Sequence, residues 1–195
     1  MNRMYRVLYA IAWPFFNLVH PCRVIGRERL PEGSALICPN HTRNSDPVMV
    51  VFAMGQGNGP QIMAKEELRR IPLVGYLLKK MGLIFVKRGA PDISAVRSAL
   101  KTLKEGRKLL IFPEGTRHEE TGEGKTGAAM IAIRAGVPIL PMYIPAKKLW
   151  FRRTPVVFGE PFMPFTEDRK PTADDYRSAT EELMARITAL EAQAK

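Results

Sequence analysis

Seven short apolar runs, at residues 23–25, 35–38, 61–63, 82–86, 108–112, 139–144 and 156–158, alternate with segments of helical pattern. Short strands interrupted by helices restrict the chain to the α/β class, because each strand must be followed by a crossover before the next can pair in parallel. The helical segments carry their own stop signals. Residues 46–54 end at Gly55, 74–81 at Gly82, 91–104 at Gly106 and 125–135 at Gly136, with Asp92 in the first turn of the third. A last helix is expected over 173–194, opened by Asp174 and Asp175, which suit the positive end of its dipole. In that helix Tyr176, Thr180, Leu183, Ile187 and Leu190 recur at three- and four-residue steps and mark a docking face. At 195 residues the expectation is one domain: a mixed, mostly parallel sheet of about seven strands flanked by helices.

Prolines stop three of the runs, at Pro39, Pro113 and Pro145, where loops should begin. In open α/β sheets, sites form at such strand ends. The loop after the second run reads Asn40-His41-Thr42-Arg43-Asn44-Ser45-Asp46. A carboxylate near His41 can hold its ring in one tautomer and make it a general base. The same spacing equally suits a loop histidine beside a helix-capping aspartate. Three further segments stand out: Phe85-Val86-Lys87-Arg88-Gly89, Phe112-Pro113-Glu114-Gly115-Thr116-Arg117, and the proline-bracketed strand from Val137-Pro138 to Pro141. Singly they read as well as a solvated strand end, a surface turn with a local ion pair, and core.

The net charge of +11 points to an anionic partner: nucleic acid, acidic lipid or a phosphorylated substrate. Cys22 and Cys38 have neither metal-site spacing nor a disulfide framework, and Cys38 sits in an apolar run as core. No stretch reaches the roughly 20 apolar residues that span a bilayer. Near the N-terminus Val7 to Phe16 is uncharged, interrupted by Pro14 and preceded by Arg3 and Arg6. No small-residue cleavage site follows, so an interfacial helix is expected rather than a leader, with Trp13, Phe15 and Phe16 at the headgroup level. A second cluster at 147–153, Lys-Lys-Leu-Trp-Phe-Arg-Arg, suits a membrane surface, single-strand stacking or a solvated loop.

Taken in order, Asn-His-x4-Asp at 40–46, Phe-x-x-Arg at 85–88, Phe-Pro-Glu-Gly-Thr-Arg at 112–117 and Val-Pro-x-x-Pro at 137–141 resemble the glycerolipid acyltransferase family. The pattern is nearest to its bacterial 1-acylglycerol-3-phosphate acyltransferases (the PlsC type). The likeness runs over roughly residues 22 to 160 and includes Ala64-Lys65-Glu66-Glu67-Leu68 and Lys125-Thr126-Gly127-Ala128. It implies a glycerol-3-phosphate acyltransferase-like fold over 22–195, preceded by a membrane-interfacial segment over 1–21.

The resemblance also implies a reaction: acyl transfer from acyl-CoA or acyl carrier protein to the hydroxyl of lysophosphatidic acid, giving phosphatidic acid. Phospholipid synthesis of this kind would take place at the cytoplasmic face of the membrane, on an anionic surface, without metal or cofactor and without nucleic acid. His41 would take the hydroxyl proton and Asp46 would orient its ring, without an acyl-enzyme; no Gly-x-Ser-x-Gly elbow is present. Arg88 and Arg117 match the positions that hold the acceptor's phosphate, with Lys125 a further cation. Glu114 would bind a glycerol hydroxyl or order the arginines, and Gly115-Thr116 could donate backbone N–H groups to the oxyanion. Arg43-Asn44-Ser45 and Lys87 vary from the common pattern and leave the acceptor open to another lysolipid or glycerol phosphate. A basic nucleic-acid-binding module and a thioester hydrolase are the competing readings.

Overall fold

The computed structural model describes residues 3–87, 92–113 and 126–195. Seven strands form one sheet: β1 (Cys22–Ile25), β2 (Leu36–Pro39), β3 (Gln61–Lys65), β4 (Ile84–Val86), β5 (Leu109–Leu110), β6 (Ile139–Tyr143) and β7 (Thr154–Phe158). The helices are α1 (Arg3–Val19), α2 (Asp46–Met54), α3 (Val74–Met81), α4 (Ile93–Lys104), α5 (Gly127–Ala135) and α6 (Ala173–Ala189). Strand order is β1-β7-β6-β2-β5-β3-β4, and every neighbouring pair is parallel except β6 with β7. The expected mixed, mostly parallel sheet is what forms.

The central strands are apolar on both faces because helices cover both. Alternate residues divide between two cores. Ile37, Leu110, Leu140 and Met142 join Tyr5 and Met49 to Met54 on the α1–α2 side. Leu36, Cys38, Leu109 and Ile139 join Ala99, Leu103, Ile131, Leu183 and Ile187 on the side of α4, α5 and α6. Thr180, Leu183, Ile187 and Leu190 of the striped helix are buried as the periodicity required, with Tyr176 half-buried.

Element ends moved where backbone chemistry overrode pattern. Asp92 stands just outside α4 as its cap: its carboxylate accepts from the N–H of Ala95 at 3.0 Å and also from the N–H of Lys87 at 3.0 Å. Gly82, with φ 84°, closes α3, so β4 begins two residues later than the apolar run suggests. The α-helix of α6 stops at Ala189 and a single tight turn over Leu190–Ala194 follows. Ahead of α6, Thr172 and Asp175 form a reciprocal capping box, and Arg169 grips Asp175 through two 2.7 Å contacts.

Helix α1 does two things at once. One stripe packs on the domain: Tyr9 and Phe16 lie 4.9 and 5.2 Å, ring to ring, from Phe52 of α2. Tyr5 is buried against Gly59, where a Cβ would sit 2.5 Å from the tyrosine ring. Phe16, expected on the outer face with Trp13 and Phe15, is instead half-buried against Phe52, because the helical period turns it to the same side as Tyr9. The opposite face leaves Val7, Ile11, Phe15 and Leu18 exposed, and Trp13, at the edge of the packed stripe, is exposed as well. Among the described residues, no helix is long and apolar enough to cross a membrane.

Candidate active site

Because β2, β5, β3 and β4 are parallel neighbours, their C-terminal ends share one edge of the sheet. The chain leaves β2 at Pro39, and Asn40 then fixes its direction. The Asn40 side chain donates to the carbonyl of Ile144 at 2.9 Å and accepts from the Ile144 N–H at 2.8 Å. One amide thus closes the gap between the ends of β2 and β6 and aims the next residue. Asn40→Ala leaves both backbone groups of a buried residue without partners, at a cost of about 1–3 kcal/mol. The expected outcome is a lower thermal midpoint together with reduced turnover, checked by calorimetry and steady-state kinetics.

His41 and Asp46 meet. The imidazole Nδ1 lies 3.1 Å from Asp46 Oδ2. The same oxygen accepts the backbone N–H groups of Thr42 and Arg43, each at 2.7 Å. Asp46 is the first residue of α2, yet its carboxylate folds back over the preceding loop and does not cap its own helix. The helix start favours the negative charge, and Pro47 fits a first turn that needs no donor. The competing possibility of a plain helix cap is therefore not what the backbone adopts.

Asp46 is fully buried. Burial by itself pushes its pKa up, but the hydrogen bond from His41, the Arg43 N–H, the Lys148 ammonium and the Thr42 N–H outweigh that and hold it down at about 2. An ionised carboxylate only accepts, so the proton in the contact belongs to Nδ1. Among the described residues no hydrogen bond reaches Nε2, on a side chain 21% exposed. The Phe112 ring, 4.2 Å away and tilted 35°, packs against the imidazole from the end of β5. A histidine held in one tautomer, with its ring packed on one side and partly exposed, has the geometry that proton abstraction from a hydroxyl requires.

The second oxygen of Asp46 belongs to Lys148. Its Nζ lies 2.8 Å from Oδ1, a close ion pair off the ideal hydrogen-bond direction, and donates to Thr42 Oγ1 at 2.8 Å. The Lys148 side chain is 1% exposed. This residue is the one that sequence reasoning missed: in the 147–153 cluster it reads as one more surface cation. The structure turns it inward, as the counter-charge of the buried carboxylate, while Lys147, Arg152 and Arg153 remain outside. No signal in the sequence separates it from its neighbours, since only the path of the loop decides which lysine points in.

The remaining expected site residues, Arg88, Glu114, Gly115, Thr116, Arg117 and Lys125, lie outside the described residues. Their segments start on the same edge as the dyad. Phe112, two positions before Glu114, touches His41, and β4, which precedes Arg88, ends two strands from β5, about 10 Å across the sheet.

A family model described as Acyltransferase matches residues 21–145. A 1-acyl-sn-glycerol-3-phosphate acyltransferase of Bacillus subtilis is 32% identical over 178 residues, which cover 87% of this chain and 87% of that protein. The protein so named in Borreliella burgdorferi is 37% identical over 124 residues, 61% of this chain and 49% of its own length, so the chain spans about half of that relative. The crystal structure of the 1-acyl-sn-glycerophosphate (LPA) acyltransferase PlsC from Thermotoga maritima has the same fold, with a TM-score of 0.65 and 25% identity over 97% of this chain and 78% of that one. The matched span holds β2, β5 and β6 together with the loop that joins His41 to Asp46, and on that agreement of sequence and fold the chain belongs to the Acyltransferase family.

Proposed function

We propose that the protein transfers a fatty acyl group from an acyl thioester, acyl-CoA or acyl carrier protein, to the free hydroxyl of 1-acylglycerol 3-phosphate. The product is phosphatidic acid. The observation that carries the reading is the His41–Asp46 contact on a partly exposed histidine at a strand end, in a chain whose relatives bear this activity in their names. In this mechanism Nε2 takes the hydroxyl proton as the oxygen attacks the thioester carbonyl. A C–O bond forms, the tetrahedral intermediate collapses, the C–S bond breaks, and the imidazolium returns the proton to the leaving thiolate. Asp46 holds the tautomer and balances the transient imidazolium charge. Arg88 and Arg117 hold the acceptor's phosphate, with Lys125 a further cation for it, Glu114 binds a glycerol hydroxyl or orders the arginines, and the Gly115-Thr116 backbone N–H groups donate to the oxyanion. No acyl-enzyme or cofactor takes part.

The test is acyl transfer by purified protein with both donor types and a panel of lysolipid and glycerol phosphate acceptors, following thiol release and lipid product. Lysophosphatidate-dependent release with phosphatidate formed is the expected result. Release that ignores the acceptor would make the protein a thioester hydrolase, and a preference for another lysolipid would change the acceptor but not the chemistry.

The substrate and product are lipids, and the reading places the work on an anionic membrane at its cytoplasmic face. Residues 1–21 form the interfacial segment and 22–195 the acyltransferase domain. The exposed apolar face of α1, with Arg3 and Arg6 at its start, supports this. Deleting α1 would also uncover Phe52, so the cleaner test keeps the packed stripe and changes the outer face. Phe15→Ser with Leu18→Ser should retain the thermal midpoint within about 1 kcal/mol of stability and lower binding to phosphatidylglycerol vesicles at least about tenfold. Unchanged sedimentation with vesicles would remove α1 from the contact.

A further inference from the structure

The connection from β6 to β7 faces two ways. Three anchors hold it against the domain. Arg43 Nε donates to the carbonyl of Ala146 at 3.2 Å, Lys148 is buried on Asp46 and Thr42, and the Phe151 N–H donates to the carbonyl of Val19, the last residue of α1, at 2.8 Å. Between and beside these anchors Leu149, Trp150 and Phe151 are 52%, 69% and 66% exposed. Phe151 has a φ of 60°, a left-handed backbone that a bulky side chain adopts only under constraint. The other described non-glycine residue in that region, Leu73, is likewise apolar and exposed, just ahead of α3, which packs on α1. These anchors therefore hold three adjacent large apolar side chains out in water.

Their surroundings identify what covers them. The Trp150 ring lies 5.8 Å from His20, whose ring lies 5.4 Å from Phe16, so the tip continues the C-terminal end of α1, where Phe15 and Leu18 are exposed. Lys147, Arg152 and Arg153 flank the tip, all exposed, and residues 147–153 contain no acidic side chain. An apolar tip with tryptophan beside it and a collar of long cations matches the layered chemistry of an anionic bilayer surface. There the hydrocarbon boundary takes the apolar groups, the headgroup level takes the indole, and the phosphates take the cations.

We propose that residues 147–153 insert the Leu149-Trp150-Phe151 tip into an anionic lipid surface beside α1, so that the loop whose Lys148 holds Asp46 also sets the dyad at the lipid boundary. This rests on the membrane reading above. Lys148 and Trp150 are two residues apart, at most about 7 Å of chain, so a lipid acceptor reaches His41 without leaving the interface. The loop has one inward residue that serves the site and three outward residues that serve the membrane.

The chain has two tryptophans, so Trp13→Phe makes Trp150 the only indole. Adding phosphatidylglycerol vesicles free of substrate to this variant should shift Trp150 emission to shorter wavelength and expose it to quenching by brominated acyl chains. Phosphatidylcholine vesicles should do so much less. In the full protein, Trp150→Ala with Phe151→Ser should weaken partition onto the anionic vesicles at least about tenfold, with circular dichroism unchanged and turnover of a short-chain, water-soluble lysophosphatidate retained. Trp150 emission unmoved at saturating vesicle concentration would overturn the proposal. So would an emission shift that follows protein concentration without lipid, which would assign the tip to a second copy of the chain. Because vesicle binding is read without substrate, failed acyl transfer with lipid-inserted Trp150 would overturn the functional reading alone, and active transfer with Trp150 in water the loop proposal alone.

Discussion

Replacing His41 with alanine is expected to lower acyl transfer by about 10²–10⁴, the usual contribution of a positioned general base, while the protein remains folded. The two effects separate because the ring does little structural work. It is 21% exposed, and Asp46 Oδ2 keeps the Thr42 and Arg43 N–H groups when Nδ1 is gone. The stability change should therefore stay within about 1 kcal/mol, the net value of one hydrogen bond. Thiol release with lysophosphatidate present, measured beside a thermal melt, checks both. Turnover near that of the parent protein would take His41 out of the base's role, whatever the melt showed.

The second large effect concerns the buried pair beneath the dyad. Asp46 is 0% and Lys148 1% exposed in their side chains, so removing either partner leaves a buried charge without this counter-charge. Such changes cost about 3–5 kcal/mol. Asp46→Asn and Lys148→Met should each destabilise on that scale, and the double variant by much less than the sum, since it removes both charges together. Activity should not follow stability. Asp46→Asn loses control of the His41 tautomer directly. Lys148→Met acts only by letting the carboxylate shift, so it should lower kcat with little change in the acceptor's KM. Additive stability costs, or a Lys148→Met effect confined to KM, would show that Lys148 does not position Asp46.

The same carboxylate carries a pH signature. Its folded-state pKa, about 2, lies below the ordinary 3.8. A depressed acid stabilises the fold above its unfolded value and loses that contribution as pH falls through the folded value. The shift corresponds to on the order of 2 kcal/mol. The stability difference between parent and Asp46→Asn should thus be constant above about pH 4 and shrink as the pH approaches 2, in denaturant titrations run at each pH.

Much of this molecule was legible in one dimension. Apolar runs and punctuation located every strand of the sheet and set the ends of α2 and α3, because such runs and C-terminal glycines are local properties of the chain. The proximity of His41 and Asp46 was legible too: they are five residues apart on one loop between a strand end and a helix start, although Asn40 and Lys148 fix their directions through distant partners. Motif order extended this to the family, since four segments in fixed sequence say more than any one of them.

What the sequence could not determine were side-chain directions set by distant partners. Phe16 and Phe15 are neighbours of equal hydrophobicity, and only the position of Phe52 on α2 turns one into the core and leaves the other 71% exposed. Asn40 gains its role from Ile144, 104 residues away. Lys147 and Lys148 are identical in chemistry and adjacent in the chain, yet one is exposed and the other completes a buried ion pair with Asp46, 102 positions away (148 − 46). Composition makes these two lysines the same. Burial of an ammonium depends on whether a carboxylate is already waiting there, and the tertiary fold alone brings the two together.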